Sequence, residues 1–600
     1  MSGLFALIEK DVTFSSQCEH LRNAVFVSDG KTFSLSDYPV SGRVAMRTTD
    51  GQLACVENYR IVFEGDLFNR KDILREIHTF MPNYSSSSDA EMVLWLFIRK
   101  GTTSFADLDG YWSLIISDAD NRKIYAAGDA FGNNSLFYCQ TNSCFFIASQ
   151  WKTLFSATDE AKEINQNAVV EYLLWGNTTN TQQGFFTNIH TVKPSHYIEY
   201  SLENNSFREL PYYQLPYKDC KGGYNEYEEP YYFDTVRQLV LESVAHNIAG
   251  KKAVAMQWNG EVSHAVFLYC AKKINPDLRI EAYSVSDFCE TDPLFLTEKN
   301  TENTNTVWKN VSCSPQDMMK QLNAINKTAH FPVSDSMSIV RYKIMEKANE
   351  QGVDSMISTQ GSDELFAGRQ QYFSPFLRSL SSQLMLKHWL KEVMNCKNSN
   401  IRFKDIFSRQ QKQAFQTKPK ELEWLNKDYS DAYFAKKHFS TSSKEVLNDC
   451  LYESYTSVLP QMLAVEKQIA ARFGMNCLTP FSNSKKLAEY VFSIPSTFKI
   501  HNGWNNYLLR NALIGIVPDE ILWRKQKPTA RIFAKKYLSE MGEEIKKHLS
   551  QQDDIEQLAD KNTLLKQWDN VYTSEHFQLR AFVFRYLSYL FWRNGLYNTM

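Results

Sequence analysis

The chain has 600 residues, more than a single hydrophobic core organises, so two or more domains are expected. Its 43% hydrophobic and 14% aromatic content can fill large cores, and a formal charge of −2 with no long basic run argues against a nucleic-acid partner. The N-terminal MSGLFALIEK is short and already carries Glu9 and Lys10, which does not suit a signal peptide. No apolar run approaches the ~20 residues that span a bilayer, so a cytoplasmic location with no membrane partner is expected.

In chain order, the first 150 residues alternate β-rich runs with turns: 59–69, 110–120, 123–132 and 135–149 read as strands. Helices are expected at 70–80 and 88–101, the second with Ser88 or Asp89 as N-cap and Gly101 as its stop. Cys139 and Cys144 lie closest among 11 cysteines, without CxxC spacing or a histidine cluster, and are expected as reduced buried thiols. Two packed sheets with flanking helices are the expected arrangement.

Residues 204–232, polar, aromatic and broken by Pro and Gly, are expected as a linker between domains at 1–203 and 233–600. Beyond it come a helix at 234–250, the strand–turn–helix AVAMQWNGEVSHAVFLYCAKK (253–273), a strand at 279–286, a helix at 338–352 and a strand at 353–359. This alternation predicts a parallel α/β sheet, and beyond 375 the chain reads as mostly helical.

The strand ending at Thr359 leads into Gln360, Gly361, Ser362, Asp363 and Glu364. Ligands of open α/β sheets bind outside the carboxyl ends of the strands. Gly361 lets backbone amides approach a phosphate, and Asp363 offers an oxygen ligand for Mg2+. The same residues also suit a plain helix N-terminus, with Ser362 as cap and two acids favoured by the helix dipole.

STQGSDELFAG (358–368) resembles the SGEGADELFGG-like motif of the asparagine synthetase superfamily, which includes β-lactam synthetases and lasso-peptide cyclases. LPQMLAVEKQIAARFGMNCLTPFSN (459–483) and NNYLLRNALIGIVPDEILWRKQK (505–527) resemble further segments of that family in the same order. In the first half, FEGDLFN (63–69), SSDAEMVLWLFIRKG (87–101), LDGYWSLIISD (108–118) and GDAFGNNSLFY (128–138) resemble its class II glutamine amidotransferase domain. The resemblance implies an α/β chain. Its first part is a glutamine amidotransferase-like (Ntn) αββα sandwich. The second is a parallel α/β domain of the adenine-nucleotide α-hydrolase (PP-loop ATPase) type with a helical C-terminal part. ATP and Mg2+ are the implied cofactors.

The glutaminase residues depart from the family pattern. Ser2 stands where the family has its nucleophilic Cys, and Glu64 replaces the Asn that serves the oxyanion hole, where a carboxylate repels developing negative charge. Only Gly65 and Asp89 remain, so this domain is expected not to hydrolyse glutamine.

The pyrophosphate loop also departs from the family's SGGxDS. With Gly260 on the second glycine, Trp258, Asn259 and Val262 replace Ser, Gly and the metal-binding Asp, while Ser263 is kept. A shift of one residue puts Glu261 on the Asp position. The implied phosphate-binding set is Gly260, Ser263, Ser284, Gly361 and Ser362, with Asp363 and, in the shifted register, Glu261 for the metal. Lys527 has the lasso-cyclase spacing of the lysine that stabilises attack on the acyl-adenylate, and Lys525 is its alternative. Asn506 replaces a family Lys. Gln360 stands where asparagine synthetases have Glu; it can orient a substrate but cannot act as a base.

Three functions compete. An AMP-forming amide ligase or cyclase, acting on a peptide or small-molecule carboxylate without glutamine, fits the inactive glutaminase and Lys527. A catalytically inactive member that binds a precursor peptide or partner protein fits Val262 and Trp258. Glutamine-dependent asparagine synthesis is opposed by Ser2, Glu64 and Gln360.

Overall fold

The computed structural model describes residues 3–10, 38–40, 44–48, 51–86, 88–178, 184–217, 223–285, 305–382, 385–399, 401, 420–436, 446–525, 530–551, 558–572 and 577–597. Two compact units result. The first comprises Met1–Gln166, Gln182–Leu215 and Asn483–Lys485, and the second Asn167–Thr181, Pro216–Ser482 and Lys486–Met600.

The first unit contains β1 (Leu4–Glu9), β2 (Tyr38–Val40), β3 (Val44–Thr48), β4 (Gln52–Val56), β5 (Tyr59–Leu67), β6 (Gly110–Asp118), β7 (Lys123–Gly128), β8 (Phe137–Gln140), β9 (Cys144–Ala148), β10 (Ile189–Thr191), β11 (His196–Ser201) and β12 (Ser206–Pro211). They form two six-stranded sheets, ordered β10-β8-β9-β1-β3-β2 and β12-β11-β7-β6-β5-β4. Each strand carries a continuous apolar stretch, Ile61–Phe63 in β5 and Leu114–Ile116 in β6, because its alternate side chains enter cores on both faces of the sheet. Val62 and Ile115 point to a core shared with Leu4, Ala6 and Ile8 of the other sheet. Ile61, Phe63, Leu114 and Ile116 point the opposite way, onto residues of the Asp89–Lys100 helix. That helix begins where expected: the Ser88 side chain accepts the Glu91 N–H at 3.4 Å, and Gly101 closes it at φ 63°.

Two expectations are corrected. The run 135–149 is a hairpin rather than one strand, because the chain turns at 141–143 with the Thr141 N–H on the Cys144 carbonyl at 2.9 Å. The segment 204–232 is not a continuous linker. Ser206–Pro211 pairs with β11 over six residues, and the helix Glu229–Ile248 starts within the segment's last residues, with a proline in its first turn.

The second unit holds a five-stranded sheet ordered β15-β14-β13-β16-β17, from β13 (Ala253–Gln257), β14 (Arg279–Val285), β15 (Thr306–Val311), β16 (Ser355–Ile357) and β17 (Asn476–Leu478). All four pairings are parallel. β13 lies between β14 and β16 in parallel register, so the carboxyl ends of these three strands lie side by side at one end of the sheet. Helices dominate after residue 372. Among the described residues, no helix is long and apolar enough to cross a membrane.

Candidate active site at the carboxyl end of the parallel sheet

The loop after β13 is Trp258-Asn259-Gly260-Glu261, and the helix Val262–Ile274 starts immediately after it. Gly260 sits at φ 74°, in the region that favours glycine. The Trp258 N–H continues the strand by donating to the Tyr283 carbonyl at 2.7 Å, and its ring meets Trp308 edge-on at 5.0 Å. The Asn259 side chain folds back into the loop. Its Oδ1 accepts the Glu261 N–H at 3.0 Å and lies 2.6 Å from His264 Nδ1. Burial drives the His264 pKa down to about 3, so its ring is neutral. Val262 is buried, whereas the Glu261 carboxyl lies in the field of Arg369 and Arg341. Burial raises the Glu261 pKa, against the pull of Asn259 and those two arginines.

After β16, Gly361 takes φ 97°, where a Cβ would lie 2.8 Å from the Phe481 carbonyl oxygen; only glycine suits both constraints. It opens the short helix Ser362–Phe366. Asp363 pairs with Arg369 Nε at 3.3 Å and Glu364 with Arg369 Nη2 at 2.9 Å. Burial raises the pKa of Asp363 despite Arg369, and the neighbouring Glu261 charge raises it further. Glu261, at the end of the loop after β13, and Asp363, in the short helix after the adjacent β16, therefore face one electrostatic environment.

Gln360 is tied down from the far side. Its Nε2 donates to Glu466 Oε1 at 3.2 Å, and the same oxygen accepts from Arg341 Nε at 2.8 Å. Glu466 is supplied by the Leu459–Arg472 helix and Arg341 by the Met337–Glu350 helix.

Of the remaining expected residues, Ser263 Oγ reaches Thr359 Oγ1 at 3.4 Å, and Ser284 is buried near the end of β14. Lys525 is exposed; Lys527 and Ser2 lie outside the described residues. Arg341, Arg369 and Glu466 were not expected in the site. Arg369 directly follows the 358–368 motif, and Glu466 lies within the 459–483 segment that resembles the family, so the local sequence carries a signal for both.

Magnesium takes oxygen ligands and usually completes its shell with substrate phosphates and water. Glu261 and Asp363 are oxygen donors of that kind. Ser362 Oγ, Glu364 Oε2 and Asn506 Oδ1 are buried without a hydrogen-bond partner among the described residues. Among the described residues, no three His, Cys, Asp or Glu side chains could hold a metal ion, so an ion here would depend on ligand oxygens as well. The residues fit magnesium delivered together with a phosphate ligand.

In the first unit, Glu64 and Gly65 lie on β5, with Gly65 at φ 121°. Asp89 is buried and pairs with Arg70 Nη1 at 3.1 Å. Burial raises the Asp89 pKa, Arg70 opposes the shift, and Asp66 adds to it.

The family described as asparagine synthase matches residues 268–589, more than half of the chain. The chain belongs to the asparagine synthase family. A glutamine amidotransferase domain matches residues 34–213, so the first unit is of the class II amidotransferase type. Members of the asparagine synthase family are ATP-dependent, amide-forming ligases that generally use Mg2+. The match begins at Leu268, after the loop at 258–261. The chain is 22% identical over 533 residues to asparagine synthetase [glutamine-hydrolyzing] 3 of Bacillus subtilis, covering 84% of this chain and 81% of that protein. Asparagine synthetase [glutamine-hydrolyzing] 1 of the same organism is 24% identical, over 78% and 75%. Amidase chyE of Penicillium rubens is 23% identical, over 57% of this chain and 51% of that protein.

Proposed function

We propose that this member of the asparagine synthase family forms amide bonds by an ATP-dependent, AMP-producing reaction whose amine comes from the substrate rather than from glutamine. The observation that carries the reading is Glu261. It sits at the helix start next to Val262, the position of the lost family Asp, and shares an electrostatic field with Asp363. When bound, Mg-ATP supplies activation of a carboxylate as its adenylate, and Glu261 and Asp363 are the residues to hold its metal. Gln360, held by Glu466, orients a substrate by hydrogen bonding and takes no proton. Lys527, with Lys525 as its alternative, is the candidate to stabilise the charge formed on amine attack.

Glutamine independence is supported by Ser2, by the carboxylate of Glu64, and by Arg70, which already occupies the Asp89 carboxylate at 3.1 Å. The substrate class is a peptide or small molecule carrying both carboxylate and amine, which includes peptide cyclisation. The test is ATP–pyrophosphate exchange with such substrates, alongside an assay for glutamate release. Exchange that is lost in Asp363→Ala, with no glutamate release, supports the reading; glutaminase activity above background overturns glutamine independence.

A second reading is a non-catalytic member that binds a peptide or partner protein. It is favoured by Asn259, whose side chain occupies the Glu261 N–H, an amide at the position where the loop would meet phosphate. Absence of ATP binding in the presence of Mg2+ selects this alternative.

A further inference from the structure

The turn after the Ser362–Phe366 helix brings Arg369 back to a carboxylate six positions earlier. Ala367 takes the left-handed conformation at φ 56°, and the Gly368 N–H donates to the Asp363 carbonyl at 3.0 Å. Gly368 lies so close that a Cβ would run into Asp363 Oδ1 and stand 2.9 Å from the Asn506 carboxamide. The chain therefore wraps around the Asp363 carboxylate and delivers Arg369 to it.

The two contacts of Arg369 are unequal. Nη2 lies 2.9 Å from Glu364, whose side chain is 3% exposed, and Nε lies 3.3 Å from Asp363, whose side chain is 36% exposed. The Arg369 side chain is itself 35% exposed, whereas that of Arg341 is 16% exposed and held on Glu466 at 2.8 Å.

We infer that Arg369 is a built-in counter-ion that competes with the divalent metal for Asp363, and that it pivots on Glu364 to release Asp363 when metal binds. This rests on the reading of Glu261 and Asp363 as the metal-holding pair. A guanidinium and a divalent cation on one carboxylate repel each other, and the fork geometry of arginine lets one contact break while the other holds. Keeping Nη2 on Glu364 leaves that buried carboxylate paired, so the release does not strand it. Arg369 is thus a positioning residue that sets how readily the site accepts metal.

The test is Mn2+ binding to the full chain in the presence of a non-hydrolysable ATP analogue, which supplies the phosphate oxygens, followed by electron paramagnetic resonance and calorimetry. Arg369→Met is expected to bind Mn2+ about tenfold tighter than the wild type, with Arg369→Lys in between because it keeps the charge but not the fork. If Arg369→Met does not fold, Arg369→Gln replaces it, with thermal unfolding as the check on both. Unchanged or weaker binding in the arginine variants, while Glu261→Gln and Asp363→Asn abolish binding, overturns the role of Arg369 and leaves the metal pair standing. Binding that appears only in the arginine variants supports the competition. If neither the wild type nor these variants bind Mn2+, the metal-pair reading falls and the inference with it.

Discussion

Replacing Glu466 with Ala removes one buried carboxylate that serves two residues. Glu466 is 3% exposed and accepts from Arg341 Nε at 2.8 Å and from Gln360 Nε2 at 3.2 Å. A hydrogen bond to a charged group contributes about 1.5–3 kcal/mol, and stranding one partner of a buried ion pair costs about 3–5 kcal/mol. Asp335 stands 3.7 Å from Arg341 Nη1 and returns part of that, but its side chain is 52% exposed and its pull is screened. The expected cost of Glu466→Ala is therefore about 3 kcal/mol, and that of Glu466→Gln about 1–2 kcal/mol, since Gln keeps an acceptor without the charge. Urea unfolding measures both, read on the transition of the second unit because two units need not unfold as one. A Glu466→Ala variant within 0.5 kcal/mol of wild type, on the order of the spread for neutral surface substitutions, refutes the claim that Glu466 anchors Arg341 and Gln360.

Further outcomes follow from the same geometry. Gly361→Ala combines a positive φ with a Cβ 2.8 Å from the Phe481 carbonyl, so it is expected to cost about 1–3 kcal/mol and to weaken ATP binding; an unchanged unfolding midpoint contradicts this. Asn259→Gly frees the Glu261 N–H and is expected to tighten ATP binding several-fold, on the order of one hydrogen bond, in equilibrium dialysis. If it has no effect, the Asn259 side chain does not obstruct the loop. Burial holds His264, His330 and His501 neutral, with pKa values of about 3. Their contribution to stability is present above the unfolded value of 6.5 and is lost as pH falls from there towards 3. Glu261, raised by burial, acts in the opposite sense: it costs nothing below its unfolded value and destabilises as pH rises through its folded one. Unfolding free energy is expected to drop from pH 7 to pH 5, and more steeply in Glu261→Gln; equal stability at the two pH values rules this out.

Much of the architecture was legible because it is written in local pattern. The apolar runs of β5 and β6, the Ser88 cap and the strand–loop–helix at 253–274 all depend on residues close in sequence. Motif likeness placed Gln360, Gly361 and Asp363 at the end of one strand, and parallel pairing then set them beside Gly260 and Glu261. What escaped depends on distant or indirect geometry. Gln360 and Glu466 are 106 positions apart and meet only because two elements pack together. Arg369 stands next to the motif, yet its return to Asp363 depends on the left-handed Ala367 and the missing side chain of Gly368. Trp258 and Asn259 looked out of place in a phosphate loop. Folding gives each a partner, Trp308 for the indole and the Glu261 N–H for the carboxamide. The strand Ser206–Pro211 was hidden because its alternation is short and sits among prolines and tyrosines.

The most direct measurement is ATP binding to the full chain by calorimetry, with and without Mg2+, for the wild type, Glu261→Gln and Asp363→Asn. Magnesium-dependent binding that either substitution abolishes is the predicted result. ATP binding indifferent to both carboxylates, or no binding at any magnesium concentration, contradicts a metal-assisted ligase site built on Glu261 and Asp363.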